Sequence, residues 1–203
     1  CRIPDTGEWY YGLEAEYFAE QKNGILIDRL YDFCADGNSF SAEGEEFTGG
    51  ELLAVFLRQA LTMLGVSDIE KQVAGIMLTV PYLSKPFVQA IREAYRLLGI
   101  QRSRGYLQDY QESFYFHTLY QKPELWTRKV GLFQFTREDV TFFCLELNQR
   151  TKPVTASVTE GGTIRLAPGA EERGAGFRAF IQESLKDDLY SSIFLVGEGF
   201  ERS

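Results

Sequence analysis

One histidine, His117, and three widely separated cysteines, Cys1, Cys34 and Cys144, are all this 203-residue chain offers in imidazole and thiol ligands. That scarcity leaves no imidazole cluster for zinc and no histidine-rich constellation for nucleophilic catalysis. The thiols have no paired spacing, and two sit in apolar surroundings. They are expected to be buried and reduced rather than joined in a disulfide. No apolar run approaches the roughly 20 residues that span a bilayer, and no basic, apolar and small-residue leader opens the chain. No run of Lys or Arg exists either. A formal charge of −8 disfavours nucleic acid and anionic membranes as partners, since both repel an acidic surface. These absences imply a cytoplasmic protein. Because the chain opens on Cys1 rather than methionine, the sequence is read as part of a longer protein.

What is present is an ordinary globular composition, 44% hydrophobic and 14% aromatic, sufficient for one sizeable core or two small lobes. Glu8 to Leu13, EWYYGL, is aromatic and β-prone, with Gly12 a candidate bulge or close approach, and residues 24–27 form a short extended piece. Asp36 to Gly50 is rich in Gly, Ser and Glu and predicts a loop. Thr48-Gly-Gly-Glu51 has capping-box spacing and opens a helix whose buried face carries Leu53, Phe56, Ala60 and Met63, closed by Gly65. Ile76 to Val80 is a continuous apolar run ended by Pro81, as in a strand covered on both faces. Ser84 caps a second helix with Pro86 in its first turn, an apolar stripe of Val88, Ile91, Tyr95 and Leu98, and Gly99 at its end. A third helix is predicted over Tyr110 to Tyr120, before Pro123.

After Pro123 the apolar period becomes two. Val130 to Phe135 and Val140 to Leu147 predict a hairpin that turns over Thr136 to Asp139. Val154 to Thr159 is a third strand, with Thr163 to Leu166 an extension beyond a Gly161-Gly162 turn. Pro168 to Gly176 is expected to be loop. Phe177 to Leu189 reads as a helix with Phe177, Phe180, Ile181 and Leu185 inward, and Ile193 to Val196 as a buried strand running into Gly197-Glu198-Gly199. The many aromatics, among them Phe114, Trp126, Phe133 and Phe142, are expected to fill core rather than line a ligand pocket.

Five segments, in order, resemble the superfamily of ATP-binding folds that contains actin and the seventy-kilodalton heat-shock chaperones. IMLTVPY at Ile76 to Tyr82, followed by FVQAIREAYRLLG at Phe87 to Gly99, is similar to the chaperone strand ending in Val-Pro and its following helix. QESFYFHTLY at Gln111 to Tyr120 resembles the chaperone helix written N-E-P-T-A-A-A-L-A-Y. The Val130 to Leu147 hairpin falls where the family writes an aspartate and a run of glycines. IFLVGEG at Ile193 to Gly199 looks like its adenosine-proximal strand and loop. WYYGLEA at Trp9 to Ala15, with Gly24-Ile25-Leu26, resembles actin's V-G-D-E-A and R-G-I-L pieces. The resemblance implies an α/β, ribonuclease-H-like, actin-like ATPase fold with reduced lobes: a partial first lobe over residues 1–122 and a compact second lobe over 123–203.

The departures from the family pattern bear on function. Family members close bare backbone N–H groups on the nucleotide's phosphates, which glycines permit. This chain has Thr136-Arg137-Glu138-Asp139 there. A carboxylate about 5 Å from a phosphate costs on the order of 3 kcal/mol per unit-charge pair at an effective dielectric near 20. Gln134 stands where the family has a metal-facing aspartate. The other phosphate loop, an Asp-x-Gly followed by Thr or Ser, is not visible; Asp5-Thr6-Gly7 comes too late in order. By resemblance Glu112 is a candidate catalytic or magnesium-orienting residue, against a solvated Glu favoured by the helix dipole. Gly197 and Gly199 are candidates for the adenosine-proximal loop, against an ordinary turn, and Thr136 for the degenerate phosphate hairpin. No metal site is expected. Together these features imply a non-catalytic actin-like scaffold or interaction module in a bacterial protein, with no cofactor, and with a protein or the remainder of the full-length chain as partner. The alternatives are a working ATPase that takes ATP and magnesium, with its missing motifs outside these residues, and a filament-forming cytoskeletal relative.

Overall fold

The apolar repeat changes along the chain from helical spacings of three and four to a period of two, and a computed structural model follows that change. It describes residues 1–197 apart from Glu43, Arg137, Pro168 and Asp187. The chain is mixed α/β and divides into two compact units, Cys1–Gln108 and Asp109–Ser203. The division falls earlier than the boundary expected at residue 122. The helix expected to end the first lobe belongs to the second unit, because its Phe114 packs into that unit's sheet. Among the described residues no helix is long and apolar enough to cross a membrane.

In the first unit the N-terminal segment pairs through isolated bridges, Arg2 with Trp9 and with Ile25. Helix α1, Gly12–Glu20, overlaps only the last two residues of the segment expected to be β-prone, Glu8 to Leu13. Gly12 begins it at φ +56°, and a Cβ there would meet open space, so the glycine serves backbone conformation and not close approach. Helix α2, Leu30–Ala35, leads to a hairpin of β1, Ser39–Ala42, and β2, Glu45–Thr48, in place of the expected loop. Phe40 and Phe47 are paired across it, and Trp9 packs edge-on against Phe47 at 5.7 Å between ring centroids. These aromatics outweigh the poor strand propensity of the surrounding Gly, Ser and Glu.

Helix α3, Gly49–Met63, opens on the expected capping box: the Thr48 hydroxyl accepts from the Glu51 N–H at 3.1 Å, and the Glu51 carboxylate accepts from the Thr48 N–H at 2.8 Å. Its buried face is Leu52, Leu53, Ala54 and Leu57. The expected stripe holds at Leu53 but not at Phe56, which is half exposed, or Met63, which is largely exposed. Gly65, at φ +81°, closes the helix as expected; Val66 N–H reaches back to the Leu61 carbonyl and Gly65 N–H to that of Thr62. After the single turn α4, Ile69–Gln72, strand β3, Ile76–Val80, pairs with β4, Gly105–Asp109. Met77 is half exposed, so β3 is not covered on both faces. Helix α5, Lys85–Leu97, is capped by Ser84 and buries Phe87, Ala90, Ile91, Ala94 and Tyr95 against α3 and α2. Val88 lies at the edge of that face, only partly buried. Gly99, at φ +72°, ends the helix in the same manner as Gly65.

The second unit begins with α6, Tyr110–Tyr120, with the bounds expected, capped by the Asp109 carboxylate. A 3-10 turn, Pro123–Trp126, leads into β5, Lys129–Phe135, then β6, Asp139–Asn148, and β7, Thr155–Arg165. Helix α7, Ala170–Leu185, starts before and ends before its expected limits, and β8, Tyr190–Gly197, follows. The sheet order is β7-β6-β5-β8. The first three strands are antiparallel in turn, and β8 runs parallel to β5.

Alternation splits β5 between two cores. Val130 and Leu132 join Phe143 and Leu145 of β6, Phe114 of α6 and Phe194 of β8. Phe133, on the other face, joins Val140 and Phe142 and receives Phe177, Phe180, Ile181 and Leu185 of α7, the inward set read from the sequence. Phe133 is fully buried, with ring contacts to Phe142, Phe177 and Phe180, and such burial contributes about 2–3 kcal/mol. Strand β7 runs straight through the predicted Gly161-Gly162 turn. The glycines form a bulge there instead, because a Cβ at Gly161 would lie 2.4 Å from Phe142 Cδ1. Strand β8 is an edge strand with Ile193 and Leu195 about half exposed, so it is not the fully buried strand expected from its apolar run.

All three cysteines are free thiols, as expected, and Cys34 is buried with its Sγ 3.4 Å from the Gly49 carbonyl. Burial pushes the Cys34 thiol up to about 12. In the unfolded chain the same thiol ionises near its ordinary value of about 8.5, so stability from this group is complete below that pH and is lost as pH rises toward the folded value. Chemical denaturation of wild type and Cys34→Ala between pH 7 and 10 should show a steeper alkaline loss in wild type. Thr48→Ala should lower stability by about 1 kcal/mol in urea unfolding, through loss of the capping box.

Candidate functional site

The end of the central strand collects most of the residues singled out in the sequence. Gln134, near the end of β5, lies in register with Thr141 of β6 and Val196 of β8; Thr141 in turn pairs with Thr163 of β7. Gln134, Thr141 and Thr163 thus form a polar row across three strands at this end of the sheet face. The Thr141 and Thr163 hydroxyls are 2.8 Å apart. Gln134 is 7% exposed, and its Oε1 is buried without a hydrogen-bond partner among the described residues. A buried acceptor left unpaired carries a cost of about 1–3 kcal/mol. Thr118 of α6 also has a buried hydroxyl without a partner.

Beyond Gln134 the hairpin turns on Thr136. Its N–H donates to the Asp139 carbonyl at 2.9 Å. Its hydroxyl oxygen accepts from the Asp139 N–H at 3.0 Å and, more weakly, from the Glu138 N–H at 3.4 Å. The Glu138 carbonyl accepts from Leu166 N–H, and its carboxylate pairs with Arg165 at 2.7 Å. Thus the threonine side chain, placed as in an ST-turn, occupies amide hydrogens that a glycine hairpin would offer to a ligand. Arg137 lies outside the described residues.

Gly197 is brought beside the same tip. It sits opposite Phe135 in the parallel ladder at φ +105°, and a Cβ would fall 2.0 Å from the Phe135 carbonyl oxygen. The requirement for glycine here comes from the protein's own backbone crossing close by. Gly199 lies outside the described residues. Glu112 occupies the first turn of α6, where its N–H donates to the Asp109 carboxylate at 2.7 Å. Its side chain is exposed and makes no hydrogen bond or ion pair among the described residues, and no interaction joins it to Gln134, Thr136 or Gly197. Of the four candidates, Thr136 and Gly197 share one end of the sheet through bonded strands.

The opposite end of β5 carries a different cluster. Lys129 Nζ bonds Asp188 at 2.8 Å and Glu146 at 3.2 Å, and these two carboxylates hold its ammonium well above the usual lysine range. Burial pushes the Tyr190 phenol up to about 12 and raises the Cys144 thiol, so neither is primed as a nucleophile. Among the described residues no group of three or more His, Cys, Asp or Glu side chains is placed to hold a metal.

Sequence reading missed the closure of the turn by Thr136 and the Glu138–Arg165 pair. The first had a local signal, a threonine two and three positions ahead of the acidic residues; the second depends on β7 register, set by the bulge.

The chain belongs to the family of unknown function DUF5716, whose C-terminal profile matches residues 1–203. A search among curated proteins finds no match to it.

Gly197→Ala should destabilise the second unit by at least about 1–3 kcal/mol, from overpacking against Phe135 in a backbone conformation that disfavours a side chain, read as a lower melting temperature. A ligand role alone would leave the melting temperature of the free protein unchanged.

Proposed function

We propose that this chain is a non-catalytic, actin- and chaperone-like domain that serves as a scaffold or interaction module in a cytoplasmic bacterial protein, with no nucleotide cofactor. The observation that carries the reading is the hairpin tip: the Thr136 hydroxyl takes the Glu138 and Asp139 amide hydrogens, and the Glu138 carboxylate stands beside them. A triphosphate would have to displace an internal acceptor and approach acidic side chains, an electrostatic penalty on the order of 3 kcal/mol per close pair. The superfamily assignment draws support from the second unit's topology. Three antiparallel strands followed by a helix and a fourth strand parallel to the first is the order expected of a ribonuclease-H-like lobe. Gln134 in place of an acidic residue removes the charge that would organise magnesium.

One observation favours the second reading, a functioning ATPase completed by residues outside this chain. The Gln134 carboxamide oxygen is buried and unpartnered, and would suit a bound water or ion.

Isothermal titration of the protein with magnesium ATP and magnesium ADP separates the two. No heat of binding at millimolar nucleotide is expected; micromolar affinity for either nucleotide rejects the non-catalytic reading.

A further inference from the structure

We infer that the groove beside α2 in the first unit is a docking site for a basic peptide segment that carries apolar anchors. The groove has a volume of about 360 Å³, and its apolar surface comes from Leu26 and Ile27 of the extended segment, Phe33 of α2 and Phe40 of β1. Leu26 is 39% exposed, so part of this surface stands in water. The rim is acidic. Asp28 precedes α2, Asp32 lies within it, and Asp36 is its C-cap; Arg29 bonds Asp32 at 2.7 Å. Asp28 and Asp36 have no ion pair among the described residues.

This pairing of surfaces sets the chemistry of the occupant. Apolar side chains from three elements attract an apolar body, and carboxylates at intervals of four residues attract positive charge. Asp32 is already paired with Arg29, so the carboxylates left to meet cations are Asp28, ahead of the helix, and Asp36 at its C-cap, on either side of that pair. Such a row outreaches a single ammonium group and suits cations repeated along a chain. The volume sits near the lower end of the roughly 300–1,000 Å³ of ligand pockets, room for one or two anchoring side chains. A second copy of this chain fits poorly: at a formal charge of −8 it would bring an acidic surface to an acidic rim. Nucleic acid and anionic lipid fail for the same reason.

The inference rests on the reading of the chain as an interaction module. It is tested apart from that reading, because nucleotide titration reports on the second unit and peptide binding on the first. The probe is a fluorescein-labelled peptide, Leu-Lys-Phe-Lys-Leu-Lys, followed by fluorescence anisotropy on the full chain. Asp28→Asn and Asp36→Asn should each weaken binding by up to about fivefold. Leu26→Gln should weaken it about tenfold, and salt near 0.5 M should weaken it further. A control peptide with glycine in place of its Leu and Phe should also bind about tenfold more weakly. All three substitutions are at exposed positions, and circular dichroism establishes that each variant is folded. Equal affinity for the glycine control, or affinity unchanged by both Asp variants, overturns the proposal. A dimer in sedimentation that Leu26→Gln dissociates also overturns it, by making a second copy the occupant.

Discussion

Two amide hydrogens at the tip of one hairpin can be held by a side chain of the protein or offered to a ligand, but not both. In this chain the Thr136 hydroxyl holds them, and the surrounding geometry follows from that choice. With the turn closed on itself, Glu138 can project a carboxylate toward Arg165 without facing an anion. The same closure keeps β5 and β6 in tight register up to Phe135 and Val140. That register in turn aligns the polar row of Gln134, Thr141 and Thr163. The proposed loss of nucleotide handling therefore rests on a competition for hydrogen bonds, with the charge of the acidic turn acting in the same direction.

Much of the second unit was legible in the sequence because its signals are local and agree with one another. The two-residue period of Val130 to Leu147 gives both strands and their turn, and Phe177, Phe180, Ile181 and Leu185 give the inner face of α7. Capping chemistry fixed the start of α3 at Thr48, and the break at Pro123 bounded α6, whose Asp109 cap emerged only in the structure. Where the reading failed, long-range packing decided. The β1–β2 hairpin forms because Trp9 packs against Phe47, a contact invisible in a local window rich in Gly, Ser and Glu. The buried side of α3 turns toward Ala54 and Leu57 because α5 supplies a wide apolar face there. Gly161-Gly162 looks like a turn by composition but yields to the Phe142 ring, which leaves no room for a Cβ.

The candidate site was legible in its location more than in its working. The apolar run Ile193 to Val196 points to a strand, and the structure places that strand beside the hairpin, since β8 pairs with β5 up to Gly197. What could not be read is that a backbone carbonyl, that of Phe135, explains the glycine. Nor could the isolation of Glu112, which depends on which face of α6 meets the sheet: Phe114 and Thr118 turn inward and Glu112 faces solvent. Resemblance aligned these positions in order along the chain. Spatial association requires the strand pairings.

The parallel pairing of β5 with β8 also shapes how the second unit must assemble. Its partners lie about sixty residues apart in the chain, whereas the β5–β6 hairpin closes over a few. The hairpin and β7 can therefore form early and cheaply in entropy, while the last strand waits for α7 to cross the sheet and bring it home. Until then the side of β5 turned away from β6 presents an open backbone ladder. During synthesis on the ribosome this unit would pass through a stage with an unsealed sheet edge, the kind of exposure that recruits folding helpers or invites mispairing.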